Sequence, residues 1–338
     1  LDQRALCGGC GAKIGSGVLG KALAGLPPLI RPEVRSGPGD DAAILATPAG
    51  VQVITTDHLR AFSFDARLMA RIAALHALGD VWAMGAAPQV ALAQITLPPL
   101  GTELQGRMLA EIMEETGIVF SRVGADVVGG HTTEGAELTI GFTVTGTAPR
   151  ALAKGGARPG DALILTKPIG AGTILAAEMA MAEVPGLMLG EAWQSCIALM
   201  SKAQGSAATL LAPHAHAMTD VTGFGLAGHL LEMLDASATA ANLRLADIPL
   251  MPGVLELAKS GHGSSLAPAN AAATSWRMTA PDDPRMELLD DPQTAGGLLA
   301  AVPADMAKDL IAALHLKGHQ AAIIGEVTKG TPHLTVLP

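Results

Sequence analysis

The residues best suited to chemistry fall into two groups, one of thiol and amine and one of carboxylates. The run Cys7-Gly8-Gly9-Cys10-Gly11-Ala12-Lys13 sets a thiol three residues from an ammonium in a glycine-rich segment. A nearby cation favours the thiolate, the reactive form of cysteine, and the glycines suggest a mobile flap over 7–17. A CxxC pair can also be half a zinc site or a redox couple. The only other cysteine is the distant Cys196, so a four-thiolate site within one chain is impossible. The carboxylates are Asp40-Asp41 after Pro38-Gly39, Asp57 closing the run 51–56, Asp80 near the end of a helical pattern, and Asp220 before a glycine-rich turn. Aspartates at strand ends and glycine turns commonly supply hard oxygen ligands to Mg²⁺, with nucleotide phosphates completing the shell. Each one alone is more simply a turn residue or helix cap. The adjacent pair Asp40-Asp41 is the stronger signal, because neighbouring carboxylates repel and gain most from a divalent ion. Asp80 adds a hint of its own, since a carboxylate beside a helix C-terminus is unfavourable unless a cation stands near. Gly129-Gly130-His131-Thr132 offers amides and an imidazole to a phosphate, or is a plain turn.

Two matches to nucleotide motifs do not survive inspection. Gly15 to Ala22 fits GxxxxGK, but Ala22 stands where a phosphate loop needs a hydroxyl, and no strand precedes it. An amphipathic helix is the better reading. Gly223-Phe224-Gly225-Leu226-Ala227-Gly228 fits GxGxxG with Asp247 downstream, yet the preceding Met218 to Thr222 is too polar for a buried central strand. Its glycines could still bring amides to a phosphate at a helix N-terminus. His76 and His229 fall on helical patterns and read as structural histidines. Asp291 to Gly297 reads as a shaped structural turn entering a buried strand.

The elements that must position these groups follow from periodicity. Strand-like runs at 42–45, 51–56, 90–97 and 138–147 alternate with helical patterns over 65–84 and 102–122. Leu68, Ile72, Leu75, Leu78 and Trp82 predict one buried face on the first of these helices. A basic, glycine-rich stretch over 150–160 marks a boundary, giving domains 1–150 and 151–338. The second half shows strands at 162–166, 297–302, 321–327 and 333–337. Helices are expected over 170–182, 191–211 and 223–234, and a long surface loop over 260–280. The class is therefore α+β, a mixed α/β chain of two domains.

Composition narrows the functions. The 338 residues carry a net charge of −9, which argues against a nucleic-acid partner, and the 2% aromatic content leaves few platforms for stacking bases. No run of about 18 apolar residues escapes interruption, so no membrane span is expected. Three cysteines suit a reducing cytoplasm better than an oxidising compartment. The start Leu1-Asp2-Gln3-Arg4 lacks a signal-peptide pattern and an initiator Met, which suggests a processed or cut terminus.

In order along nearly the whole chain, eight segments resemble the selenophosphate synthetase (selenide, water dikinase) family. They are residues 10–13, Gly-Asp-Asp-Ala-Ala at 39–43, Thr-Thr-Asp at 55–57 and Asp-Val-Trp-Ala-Met-Gly at 80–85. The others are 129–131, Lys-Pro-Ile-Gly at 167–170, 219–225 and Asp-Pro-Gln-Thr at 291–294. The resemblance implies the two-domain aminoimidazole ribonucleotide synthetase-like fold, with the N-terminal domain pairing in a homodimer of shared active sites. It implies conversion of ATP, selenide and water to selenophosphate, AMP and phosphate, with several Mg²⁺ ions, and admits K⁺. By position, Cys10 is the catalytic cysteine and Lys13 the lysine near the ATP phosphates. Asp41, Asp80 and Asp220 are metal ligands, Asp80 also at the nucleotide. Pro38, Gly39, Asp40 and Asp57 are further nucleotide positions, and Gly129, Gly130 and His131 reach the partner's site. Two departures stand out: Ala12 where some members have a second cysteine, and His58-Leu59-Arg60 in place of a more aromatic run. The family also includes modules that follow a flavin- and NAD-binding oxidoreductase in one polypeptide. A same-fold kinase or ligase acting on a carbon metabolite, or a non-catalytic ATP-binding domain of a redox fusion, are the alternatives.

Overall fold

The computed structural model describes residues 7 to 338, so the reading of Leu1 to Arg4 lies outside the described residues. After helix α1 (Ser16–Leu23) come β1 (Ala43–Thr47), β2 (Gly50–Arg60), α2 (Ala66–Ala83), β3 (Ala87–Leu97), α3 (Thr102–Arg122), β4 (Asp126–Glu134) and β5 (Thr139–Ala148). The strands form one sheet in the order β1-β2-β5-β3-β4, antiparallel except for the β3–β4 pair. The second half contributes β6 (Asp161–Leu165), α4 (Ala171–Met179), α5 (Leu189–Met200), α6 (Gly205–Leu211), β7 (Ala217–Asp220), α7 (Gly225–Ser237) and β8 (Ala240–Arg244). It continues with α8 (Val254–Lys259), α9 (Ala267–Thr274), β9 (Met278–Thr279), β10 (Leu298–Pro303), α10 (Ala307–Leu316), β11 (Ala322–Thr328) and β12 (Leu334–Leu337). Its sheet runs β7-β10-β6-β11-β8-β12-β9, antiparallel except at β12.

Helix α2 joins the two halves. Asp65 caps it, its carboxylate accepting the Leu68 N–H at 3.0 Å. The spacing predicts one buried face, but 15 of the 18 residues are buried. The reason is that α2 packs on β2, β3, β5 and α3 of its own half and also on β7 and α6 of the other. Six alanines let both sets of neighbours come close.

Four other expectations change. The helix expected over 191–211 is broken between Met200 and Gly205, where the buried Gln204 accepts a hydrogen bond from Thr166 Oγ1 at 2.6 Å. The stretch 260–280 contains α9, whose buried Asn270 donates to the Gly223 and Asp290 carbonyls at 2.9 and 3.0 Å. Gly129-Gly130-His131 lies inside strand β4, paired in parallel with Leu92, Ala93 and Gln94 of β3, rather than in a turn. The polar run at 217–220 forms the buried strand β7, which tolerates polarity because it is an edge strand facing the acidic residues described below. The GxxxxGK match is helix α1, as its missing hydroxyl implies. Among the described residues, no helix is long and apolar enough to cross a membrane.

Candidate active site

Strand and helix periods explain how the first acidic residues meet. On β2 the alternation of side chains puts Val53, Thr55, Asp57 and Leu59 on the face beneath α2. On α2, His76 and Asp80 lie one turn apart, over that face. The Thr55 hydroxyl donates to Asp80 Oδ2. From the other half, β7 ends at Asp220, and from the segment before β1 comes Asp41. Carboxylate oxygens of Asp41, Asp80 and Asp220 all lie within 4.8 Å of one another.

Burial and mutual repulsion act together on this cluster. Asp80 is pushed well above the usual carboxylate range by burial, then by Asp57, Asp220 and Asp41. Asp220 is driven up in the same way by burial and by Asp41 and Asp57. Asp41 is also raised by burial, although Lys154, at 3.0 Å from its Oδ1, and the Thr219 hydroxyl at 2.9 Å oppose the rise. Its other oxygen, Oδ2, is buried with no hydrogen-bond partner. An orphaned buried carboxylate oxygen among three converging carboxylates is a hard-oxygen donor set that fits Mg²⁺.

A glycine makes this convergence possible. A Cβ on Gly79 would stand 2.7 Å from Asp220 Oδ2, so any larger residue on α2 would displace that carboxylate. Neither Gly79 nor Lys154 is singled out by sequence reasoning. Lys154 reads as one more basic residue of the boundary stretch. In the fold it is 7% exposed, bridges Asp41 and Glu232, and offers its backbone N–H to Asp40 Oδ1 at 2.9 Å. Burial lowers its affinity for a proton, but the two carboxylates outweigh this and hold it charged.

The thiol and amine sit beside the acidic cluster. The segment from Cys7 is laid between the halves: the Gly9 N–H donates to the Arg60 carbonyl at 2.9 Å, and the Cys10 N–H to Thr294 Oγ1 at 3.0 Å. Lys13 Nζ stands 3.3 Å from Asp57 Oδ1. Burial works against its charge, but Asp57, Cys10, Asp80 and Asp220 hold its proton more tightly than usual. Burial works against the charge of Asp57, but the Lys13 ammonium outweighs it and holds the carboxyl below its usual range. The expected activation of Cys10 by Lys13 does not prevail in this state. Cys10 is fully buried, and burial pushes its thiol up to about 12 despite Lys13. The stem of Lys13 lies across Gly223, where a Cβ would come within 2.5 Å of Lys13 Cδ. The glycine of the GxGxxG match thus makes room for a lysine.

The remaining expected positions divide. Pro38, Gly39 and Asp40 lie on the chain leading into the cluster, with Asp40 tied to Lys154. Gly129, Gly130 and His131 are exposed on β4, at the opposite edge of the sheet from β1, and do not join the site within one chain. Asp291 and Gln293, read as structural, serve the start of α4. Asp291 accepts from the Gly172 N–H at 3.0 Å and the Thr173 hydroxyl at 2.9 Å, and Gln293 Oε1 from the Gly170 N–H at 2.9 Å.

A mixed α/β pair of domains meeting over a cluster of carboxylates defines a class of proteins. The family models of AIR synthase related protein match it, the N-terminal domain over residues 39–148 and the C-terminal domain over 158–336. Thiamine monophosphate kinase of Aquifex aeolicus, complexed with AMPPCP and TMP, superposes with a TM-score of 0.64 at 18% identity, covering 95% of this chain and 93% of that one. Two curated proteins named selenide, water dikinase are nearer in sequence. That of Rhizobium meliloti is 37% identical over 348 residues (100% of this chain, 98% of the relative), and that of Myxococcus xanthus 34% over 345 (100% and 97%). The chain belongs to the selenide, water dikinase family, within the AIR synthase related proteins.

Proposed function

We infer that this chain is a selenophosphate synthetase, which converts ATP, selenide and water to selenophosphate, AMP and phosphate and so provides the selenium donor for selenocysteine and selenouridine synthesis. The observation that carries the reading is one continuous site in which Cys10 and Lys13 lie beside the carboxylates of Asp57, Asp80, Asp220 and Asp41. Phosphoryl transfer needs little covalent help from the protein, chiefly positioning and charge neutralisation. When bound, Mg²⁺ ions held by Asp41, Asp80 and Asp220 would neutralise phosphate charge.

The chain's own groups supply the rest. Lys13, held by Asp57 at 3.3 Å, is placed to contact the transferring phosphate, where its firmly retained proton keeps it cationic. Pro38, Gly39, Asp40 and Asp80 flank the nucleotide. Cys10, buried beside Lys13, is placed to receive selenide next to the phosphate that Lys13 contacts. The exposed Gly129-Gly130-His131 edge suits completion of a second copy's site in a homodimer. A reducing cytoplasm keeps Cys10 a thiol, and an associated flavin- and NAD-binding oxidoreductase suits selenium chemistry.

The test is incubation with ATP, Mg²⁺ and anaerobic selenide, followed by phosphorus NMR, against a control without selenide. Selenide-dependent appearance of both AMP and selenophosphate is expected. ATP turnover that ignores selenide would favour a same-fold kinase or ligase on a carbon substrate, and nucleotide binding without turnover a non-catalytic domain.

A further inference from the structure

His76 reads from the sequence as a structural histidine, yet it is fully committed to the thiol. Its Nδ1 accepts the Ala295 N–H at 3.2 Å. A nitrogen that accepts a hydrogen bond carries no proton, so in the neutral ring the proton is on Nε2. Nε2 lies 3.1 Å from Cys10 Sγ and 3.7 Å from Asp57 Oδ2, so its N–H is directed at the sulfur. Burial drives the imidazole down to about 4, with Lys13, Lys167 and His229 adding to the effect and Asp57 opposing it, so the ring is a neutral donor at physiological pH.

Ala295 is itself held in place. Among the described residues it is one of three non-glycine residues with positive φ, at 47°, a conformation that must be fixed by its surroundings. Its N–H goes to His76 and its carbonyl accepts from the buried Lys167 Nζ at 2.7 Å. The preceding Thr294 accepts the Cys10 N–H. A single turn therefore fixes both the backbone of Cys10 and the tautomer of the ring that faces its sulfur.

We propose that His76 is a positioning residue for Cys10, a neutral imidazole that delivers Nε2–H to the sulfur and supports negative charge on sulfur, or on selenium bound beside it, where both side chains are buried. The imidazole keeps its proton throughout, and the proton of the ionising thiol leaves to the buffer. The selenium part rests on the function inferred above; the pairing with the thiol does not. The groups that also face the pair are Lys13, Asp57, Asp220, Lys167 and His229.

The test compares His76→Leu, which fills the space without a donor, with His76→Gln, whose Nε2–H can reach the same point. Alkylation of Cys10 by iodoacetamide at one alkaline pH is followed by peptide mass spectrometry, with Cys7 and Cys196 as internal references, and amide exchange of residues 7–13 confirms that the buried Cys10 is uncovered equally often in each variant. H76L should slow Cys10 about tenfold, as expected for a lost hydrogen bond to a charged group, and H76Q should restore most of the rate. Selenide-dependent kcat should follow the same order while the affinity for ATP stays unchanged. Equal slowing in both variants, or none in H76L, overturns the proposal. Nitrogen-15 NMR of the wild-type ring gives a check independent of any variant: the Nε2–H tautomer is required, and an Nδ1–H tautomer refutes it. Wild-type protein that shows the alkylation pattern but no selenide-dependent turnover would sink the function and leave the pairing standing.

Discussion

Replacing Asp220 by Asn should make the metal-free protein more stable while it spoils nucleotide binding. The carboxylate oxygens of Asp41, Asp80 and Asp220 lie within 4.8 Å of one another. At that separation, with an effective dielectric of about 20, each ionised pair repels by about 3 kcal/mol. Proton uptake relieves part of this, because burial and mutual repulsion already raise Asp80 and Asp220. Lys154 offsets some of the remainder at Asp41. A net gain of about 1–3 kcal/mol is left for D220N near neutral pH, or a rise of roughly 2–6 °C in Tm. The assay is thermal unfolding in EDTA, repeated with Mg²⁺ and a non-hydrolysable ATP analogue. A ligand at 100 times its Kd adds about 2.7 kcal/mol to the wild type, and D220N should lose most of that increment. A variant that melts below wild type in EDTA, or that gains as much from the Mg²⁺ nucleotide, would refute the reasoning.

Gly79→Ala should shift the Asp220 carboxylate, which a new Cβ would meet at 2.7 Å, costing about 1–3 kcal/mol in denaturant unfolding and weakening Mg²⁺-dependent ATP binding in a titration. Cys10→Ser should keep ATP affinity and lose selenide-dependent AMP formation; full turnover would remove the thiol from the mechanism. His319, buried with Nε2 at 2.8 Å from the Ser206 hydroxyl, is lowered to about 4 by burial and by Lys202 and Lys167. The folded state therefore binds fewer protons than the unfolded one below about pH 6.5, and stability should fall by roughly 3 kcal/mol as pH drops from there toward 4. H319Q should flatten that part of the acid limb in chemical denaturation, and an unchanged slope would contradict the assignment.

How far the sequence speaks for this site depends on whether a residue's role is local. The helix dipole already asks for a cation near Asp80, but the apolar period of α2 leaves Asp80 off the one face it predicts to be buried, and only the enclosure of the helix by both halves buries it. Lys154 is invisible at that level, because its partners Asp41 and Glu232 come from distant parts of the chain. His76 is equally silent: one histidine on an apolar helix gives no sign that Ala295 and Cys10 stand on either side of its ring. Strand β4 is obscured by Gly129-Gly130, poor strand formers that pairing with β3 holds extended. The break after Met200 falls in Ser201-Lys202-Ala203-Gln204, a short polar run that the solvent face of one long helix could equally carry, and the bond from Thr166 to Gln204 marks where the helix stops.

The alanines of α2 have a consequence for how this protein can change over time. Ala66, Ala70, Ala73, Ala74, Ala77 and Ala83 are all buried between two layers, so nearly every point mutation there adds volume where none is free. Overfilling of this kind typically costs about 1–3 kcal/mol, a large part of the margin by which a domain stays folded. The same helix carries His76 and Asp80, so a substitution that moves it disturbs the chemistry and the fold together. In a deep mutational scan, α2 should therefore appear as an almost unbroken band of intolerance, with losses of abundance and of activity falling on the same positions, whereas exposed α1 should accept most exchanges.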